Sequence, residues 1–216
     1  MVVKQTGESE VAIPMAGITL HGTLNVPEGT PGIVLFAHGS GSGRHSPRNR
    51  FVSEVLNQAG LGTLLFDLLD PVEETDRAAV FDIELLAGRL ASVTRWLRTR
   101  PVARSCRLGY FGASTGAGAA LWAAADPDSP VGAVVSRGGR PDLAGDRLRS
   151  VRVPTLLVVG GADEVVLDLN RRAARILGGP NRLEVVPGAT HLFEEPGTLS
   201  AVAQLARDWF LRYLGG

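Results

Sequence analysis

Short apolar runs separated by amphipathic or glycine-rich segments recur along the whole chain. Six of these runs have the length and composition of buried strands, at residues 33–37, 63–66, 107–111, 132–135, 154–159 and 182–186. Two earlier segments, 11–14 and 18–26, flank a turn near Gly17 and predict an antiparallel hairpin. The pattern therefore predicts eight strands.

The segments between the strands carry helix signals. Residues 47–59 begin with a proline, which suits a first turn, and precede Gly60, a typical helix C-cap. Asp76 can cap a helix with the apolar stripe Leu86, Leu90, Val93 and Leu97, leaving Asp82, Arg89 and Arg95 on the other face. Residues 117–125 are rich in alanine, and the C-terminal segment has the apolar stripe Leu199, Val202, Leu205, Trp209 and Tyr213. The alternation predicts an α/β fold, with a mostly parallel eight-stranded sheet flanked by helices.

A serine lies between two glycines where the strand at 107–111 gives way to the alanine-rich helix. The segment 112–116 has the spacing Gly-x-Ser-x-Gly of a nucleophile elbow, with Ser114 at its centre. A turn this sharp strains the serine backbone and leaves no room for side chains two residues away, which accounts for both glycines. The same spacing can arise by chance in a chain with 27 glycines, so the interpretation depends on partners for Ser114.

Later strands end in candidates for an acid and a base. Asp163 follows the strand at 154–159 and His191 follows the strand at 182–186, which gives the chain order Ser, Asp, His. Glu164 and Asp67 are alternative acids, each close to a strand end. Asp163 is preferred because both its position and the chain order agree.

Three further histidines precede Ser114. His21 lies in the predicted hairpin, where we expect it in solvent or on the sheet face, and His38 is expected to pack beneath the glycine-rich segment 39–43. His45 follows that segment and could contact a substrate. These positions leave His191 as the predicted base.

Four segments together, 37–43, 112–116, 160–163 and 188–191, make the chain resemble a dienelactone-hydrolase-like member of the α/β-hydrolase superfamily. The resemblance implies hydrolysis of a small carboxylic ester or lactone through an acyl-enzyme on Ser114, with Asp163 and His191 completing the triad. Dienelactone hydrolases themselves carry cysteine as nucleophile, whereas position 114 is serine and the single cysteine, Cys106, precedes the strand. Serine esterase chemistry is therefore expected rather than dienelactone as the substrate.

Charge that develops on a substrate carbonyl oxygen requires hydrogen-bond donors that are fixed beforehand. The backbone amide of Thr115, which follows the nucleophile, is one predicted donor. His38-Gly39-Ser40 matches the family pattern for the second donor and assigns it to the backbone amide of Ser40. These two amides form the predicted oxyanion hole.

The connection between the strands at 132–135 and 154–159 is too short for the helical cap that α/β-hydrolases usually insert there. We expect a single domain over residues 1–216, with no cap domain and an active site open to solvent, which suits small substrates. Two alternatives to ester hydrolysis stay open. The same triad serves an acyltransferase or thioesterase, and the same fold can carry a non-catalytic ligand-binding protein.

Five basic residues are expected on loops after strand ends, where ligands bind in open α/β sheets: Arg44, His45, Arg48, Arg137 and Arg140. A planar guanidinium can bind both oxygens of a carboxylate or phosphate, so these residues could recognise an anionic substrate. Loop arginines also commonly lie in solvent or pair with acids such as Asp142. Both interpretations remain open.

The composition of the chain limits the kinds of partner, compartment and cofactor that we expect for the protein. The chain has 22 basic and 22 acidic residues, so no overall field favours nucleic acid or an anionic membrane, and a small molecule is the expected partner. One cysteine, no apolar leader in residues 1–8 and no run of membrane-spanning length predict a cytoplasmic protein. Lys4 is the only lysine, which argues against a phosphate-binding P-loop or a Schiff base, and the scattered histidines predict no metal or other cofactor.

Overall fold

The computed structural model describes residues 7–215; Lys4 and the rest of segment 1–6 lie outside them. These residues form one sheet of eight strands: β1 (Ser9–Pro14), β2 (Thr19–Asn25), β3 (Gly32–Ala37), β4 (Gly62–Phe66), β5 (Arg107–Ala113), β6 (Val131–Arg137), β7 (Thr155–Gly160) and β8 (Asn181–Val186). The spatial order is β1-β2-β4-β3-β5-β6-β7-β8. Strand β2 runs antiparallel to β1 and β4, and all other neighbours are parallel. The predicted hairpin and mostly parallel sheet are confirmed.

Helices cover both faces of the sheet. On one face, α1 (Pro47–Gln58) packs beside the C-terminal helix α6 (Thr198–Leu214), and both bury apolar side chains against the strands. The other face carries α3 (Ile83–Arg98), α4 (Thr115–Ala124) and α5 (Glu164–Ile176). The two resulting apolar cores account for the continuous hydrophobic runs in the central strands, since those strands are buried on both faces.

The sequence predicted one continuous helix from Asp76 onward, and this prediction is wrong because the segment forms two helices. The chain forms a short helix, α2 (Arg77–Phe81), then an extended residue at Asp82, and then α3. Each aspartate begins a helix: Asp76 accepts a hydrogen bond from the Ala78 amide at 2.8 Å, and Asp82 accepts one from the Leu85 amide at 2.9 Å. The carboxylate of Asp82 therefore caps α3 and does not lie on the outer face of a longer helix.

The connection from β6 to β7 contains one regular element within the described residues, the 3₁₀ stretch Pro141–Ser150. No cap domain is inserted at this position. The long connection from β4 to α3, residues 67–82, instead contains a 3₁₀ turn (Glu73–Thr75) and α2. The carboxyl ends of the parallel strands β3 to β8 thus meet at one edge, where the loops that carry the predicted site residues converge.

Candidate active site

Ser114 lies at the corner between β5 and α4 with its backbone in the left-handed region, at φ 49° and ψ −121°. Its amide donates to the Arg137 carbonyl at 3.2 Å, and its carbonyl accepts from the Arg140 amide at 3.1 Å. This conformation is strained for a residue with a side chain, and these backbone bonds hold it. Within residues 7–215 the Ser114 hydroxyl forms no hydrogen bond.

Glycines allow the elbow to pack directly against the loop after β3. A Cβ at Gly112 would collide with the backbone of Ala117, and one at Gly116 would collide with the carbonyl of Ala37. At Gly39, a Cβ would lie 3.0 Å from the Cβ of Ser114. The glycines that the sequence pattern singled out are therefore required by close backbone approach.

His191 and Asp163 form a hydrogen-bonded pair on the loops after β8 and β7. The distance from His191 Nδ1 to Asp163 Oδ2 is 2.6 Å. The Asp163 side chain is 14% exposed and that of His191 is 38% exposed. An ionised carboxylate can only accept, so the neutral ring carries its proton on Nδ1 and leaves Nε2 unprotonated.

Backbone contacts bring this pair toward the serine elbow. The Ala162 amide donates to the Ala189 carbonyl at 2.9 Å, which joins the two loops. The ring atom Cε1 of His191 lies 3.6 Å from the position a Cβ would occupy on Gly138. Gly138 directly follows Arg137, whose carbonyl binds the Ser114 amide. The three predicted residues thus follow strands β5, β7 and β8 at one edge of the sheet, although no hydrogen bond joins Ser114 to His191 in the part of the chain described.

The alternative acids are differently placed. Asp67 accepts from the Arg44 amide at 2.8 Å and from its guanidinium at 3.1 Å. Glu164 is exposed at the first position of α5. Neither contacts His191 among the described residues.

His38 is buried beneath the glycine-rich loop, as the sequence predicted. Its Nε2 accepts from the Leu68 amide at 3.0 Å, so the proton of the neutral ring lies on Nδ1, which contacts the Gly39 carbonyl at 3.0 Å. This histidine ties the loop after β3 to the loop after β4. His21 and His45 are exposed and line the cavity described below.

The predicted oxyanion amides differ in their hydrogen bonding. The Ser40 amide donates to the Thr115 hydroxyl at 2.9 Å, across a sequence separation of 75 residues. The Thr115 amide, at the first position of α4, has no partner within residues 7–215. The contact between Ser40 and the Thr115 side chain was not anticipated from the sequence, because a Gly-x-Ser-x-Gly motif leaves the residue after its serine unspecified.

A cavity of about 740 Å³ lies beside the elbow. Its walls combine the loop after β3, the start of α1, strand β2, residues of the 67–82 connection and Leu86 of α3. Ser40 and Thr115 line it, whereas Ser114, Asp163 and His191 do not. Its apolar wall consists of Leu20, Leu68, Leu69, Val80 and Leu86. Sequence patterns gave no sign of it, since a cavity between loops has no periodicity.

Three of the five basic candidates contact acids, and two of these three, Arg140 and Arg44, lie on loops. Arg140 contacts the Asp142 carboxylate at 2.7 and 2.9 Å, and Arg44 bridges Asp67 at 3.1 Å and Glu10 at 3.5 Å. The interpretation of loop arginines paired with acids holds for these two.

Arg48 and Arg137 do not lie on loops as predicted. Arg48 is in the first turn of α1, and Arg137 is the last residue of β6, because that strand extends beyond the run at 132–135. Arg48 contacts Glu194 at 3.4 Å, but its Nε is buried without a partner.

Arg137 is only 8% exposed, and its Nε and Nη1 have no hydrogen-bond partner within residues 7–215. Burial, with a smaller contribution from the charge of Arg48, lowers the pKa of the Arg137 guanidinium to about 10. The group remains charged at neutral pH.

Other chemistries find less support in the described residues. Cys106 is buried before β5, with its sulfur near the Val102 carbonyl at 3.3 Å, and burial raises the pKa of its thiol. No group of three or more His, Cys, Asp or Glu side chains is arranged to hold a metal among residues 7–215. No helix in that range has the length and apolar character needed to cross a bilayer.

Solved structures share this architecture. Est1E from Butyrivibrio proteoclasticus superposes with a TM-score of 0.81 over 96% of this chain and 99% of that one, at 16% identity, which shows the fold alone. A dienelactone hydrolase from Anabaena variabilis superposes with a TM-score of 0.93 over 96% and 98% of the two chains, at 55% identity. The fold and the serine elbow define an α/β hydrolase. Within that class, the chain belongs to the dienelactone-hydrolase-like family.

Sequence comparison adds a longer relative. A protein of Mycobacterium tuberculosis that carries the provisional name phosphoribosyl transferase is 65% identical over 209 residues, which are 97% of this chain and 47% of that protein. The chain therefore spans about half the length of the curated relatives it matches. No protein-family model matches the chain.

Proposed function

We propose that this chain is a serine hydrolase that cleaves small carboxylic esters or lactones through an acyl-enzyme on Ser114. The observation that carries the proposal is the 2.6 Å contact between His191 Nδ1 and Asp163 Oδ2, at the sheet edge where Ser114 occupies a strained elbow. This contact orients the ring and leaves Nε2 able to accept a proton.

The reaction follows from these roles. Ser114 Oγ bonds to the substrate carbonyl carbon, the carbonyl electron pair moves to its oxygen, and the hydroxyl proton passes to His191 Nε2. The tetrahedral intermediate collapses, the bond to the leaving oxygen breaks, and that oxygen takes the proton from Nε2. Water then attacks the acyl-enzyme by the same route and restores Ser114. Asp163 stabilises the imidazolium in both halves.

The 740 Å³ cavity supports a small-molecule substrate, since ligand pockets commonly measure roughly 300–1,000 Å³. Its leucine and valine wall favours an apolar acyl or alcohol group beside the elbow. Connection 67–82 therefore covers part of a site that the short β6–β7 connection leaves uncapped.

An anionic group on the substrate is supported by Arg137 and Arg48. Burying a guanidinium without a partner costs free energy, and within residues 7–215 two nitrogens of Arg137 have no partner and no acid forms an ion pair with it. A carboxylate or phosphate on the substrate would supply the missing acceptors. The remaining basic candidates Arg44, His45 and Arg140 would act at most at the rim, because the two arginines are paired and His45 is exposed.

The relatives support the hydrolase class. The Anabaena protein is called a dienelactone hydrolase, and its identity of 55% extends over almost the whole of both chains. The transferase name of the mycobacterial relative describes a protein about twice as long. That name therefore does not assign an activity to the half that this chain matches.

A fluorophosphonate tests the proposal, because it reacts with a serine only when a neighbouring base activates it. We expect one covalent adduct on the peptide that contains Ser114, and none in Ser114→Ala. Ser42→Ala, a serine of the glycine-rich loop with no assigned role, is the matched control and should label normally. Labelling that persists in Ser114→Ala would overturn the assignment. Product analysis with added alcohols then separates hydrolysis from acyl transfer.

A further inference from the structure

The Thr115 hydroxyl occupies a position between the loop after β3 and the serine elbow. It accepts the Ser40 amide proton at 2.9 Å, so the amide predicted to bind the oxyanion already has an acceptor in the protein. Thr115 and Ser40 both line the 740 Å³ cavity. Two hydrogen-bonding groups that face one cavity are therefore already linked to each other.

The hydrogen bond from the Ser40 amide leaves the hydroxyl proton of Thr115 available for donation. A threonine hydroxyl has one proton to donate and two lone pairs to accept with. One lone pair of Thr115 takes the Ser40 amide, and the hydroxyl proton has no acceptor within residues 7–215. Accepting from an amide also polarises the hydroxyl and makes it a somewhat stronger donor.

Packing fixes the hydroxyl in place. Thr115 is 4% exposed and directly follows Ser114, and Gly39 approaches so closely that an added Cβ would lie 3.1 Å from the Ala113 carbonyl oxygen. A donor held in this way needs no reorganisation when charge develops, which is the requirement for an oxyanion hole.

We infer that the Thr115 side chain is a catalytic donor: its hydroxyl, supported from behind by the Ser40 amide, joins the Thr115 amide in binding the oxyanion. This inference rests on the proposed function, because the oxyanion forms only if Ser114 attacks a carbonyl. The hydroxyl proton stays on Thr115 throughout and only hydrogen-bonds the carbonyl oxygen as its negative charge grows.

Replacing Thr115 by valine and by serine tests the inference. Thr115→Val keeps the branched shape but removes the hydroxyl and releases the Ser40 amide, and we expect kcat for 4-nitrophenyl acetate to fall roughly 10²–10³-fold with KM little changed. Thr115→Ser restores a hydroxyl and should recover most of the lost rate. A kcat for Thr115→Val equal to or above that of the wild type would overturn the inference, because the freed Ser40 amide would then be the donor.

Thr155→Val is the matched control. Thr155 is 1% exposed, and its hydroxyl donates to the Val153 carbonyl at 3.1 Å at the opposite end of the sheet. We expect this variant to retain the wild-type kcat, so a fall in Thr115→Val alone excludes a general effect of losing a buried hydroxyl. Fluorophosphonate labelling of the wild type separates the two proposals, since its absence would refute the nucleophile and this inference with it. Normal labelling with no loss of kcat in Thr115→Val would refute this inference alone.

Discussion

Two charged groups at the carboxyl edge of the sheet, Asp163 and Arg137, differ in the hydrogen-bond partners that the described residues give them. Asp163 has a side chain that is 14% exposed and a partner, His191, at 2.6 Å. Arg137 is 8% exposed, and two of its nitrogens have no partner in the part of the chain that the structure describes. The charge that acts on Arg137 is the like charge of Arg48, which lowers its pKa further below the ordinary value.

The difference shows which part of the site the folded chain supplies by itself. A buried charge is tolerated when it is paired and hydrogen-bonded, and it is costly when it is not. The Asp163–His191 pair meets this condition within the chain. Arg137 does not within residues 7–215, which is why we propose a catalytic role for the pair and an external ligand for Arg137.

Removing the charge of Asp163 should have the largest effect. In Asp163→Asn an amide replaces the carboxylate and favours the wrong imidazole tautomer, so we expect kcat for 4-nitrophenyl acetate to fall by roughly 10⁴-fold. Circular dichroism should show an intact fold. Glu164→Gln, which neutralises the exposed neighbour, should leave kcat unchanged. Near-normal activity in Asp163→Asn would instead direct attention to Asp67.

The comparison also explains what can be predicted from the sequence. Asp163 and His191 are predictable because a strand is a continuous apolar run and the residue after it is readily located. Ser114 is predictable because its glycines are demanded by close packing that no other residue permits. Local rules of this kind suffice for the sheet and for the positions of the three residues.

Features that depend on distant contacts are not predictable in the same way. The Thr115 hydroxyl meets the Ser40 amide across 75 residues, and the cavity wall comes from separate segments. Arg137 was expected on a loop because the strand signal fades at Val135, yet pairing with β5 and β7 extends β6 to Arg137.

Helix α5, with Val166, Leu167 and Ala173 buried, was not predicted.

A negatively charged substrate tests whether Arg137 binds an anionic group. We expect the wild type to prefer 4-nitrophenyl hemisuccinate, which carries a carboxylate, over the neutral 4-nitrophenyl pentanoate. In Arg137→Met the ratio of the two kcat/KM values should fall roughly 10- to 10²-fold, since a hydrogen bond to a charged group contributes about 1.5–3 kcal/mol. Arg104→Met, at an exposed arginine before β5, should leave the ratio unchanged. A preference that survives in Arg137→Met would exclude this arginine as the anion site.

Arg137→Met should lose selectivity for the charged substrate but gain stability. Burial lowers the pKa of Arg137 to about 10, so the folded state disfavours the charged form relative to the unfolded chain. At pH 7 the residue is charged in both states and the full penalty applies, whereas it is relieved as pH rises from about 10 toward the ordinary arginine value, because the unfolded chain then binds more protons. Replacing a buried ion pair by well-packed apolar side chains is often neutral or stabilising by about 1–4 kcal/mol, and an unpaired buried charge has the same desolvation cost without the attraction of a partner.

We therefore expect Arg137→Met to raise the free energy of unfolding at pH 7, measured by urea denaturation without ligand, by about 1–3 kcal/mol. Arg140→Met removes a partly exposed arginine that pairs with Asp142, and should change that free energy by less than about 0.5 kcal/mol. Succinate should stabilise the wild type and not Arg137→Met, because only the wild type offers the unpaired guanidinium. If Arg137→Met were less stable than the wild type, the Arg137 guanidinium would have stabilising partners in the fold. The argument that it needs a ligand as partner would then fail.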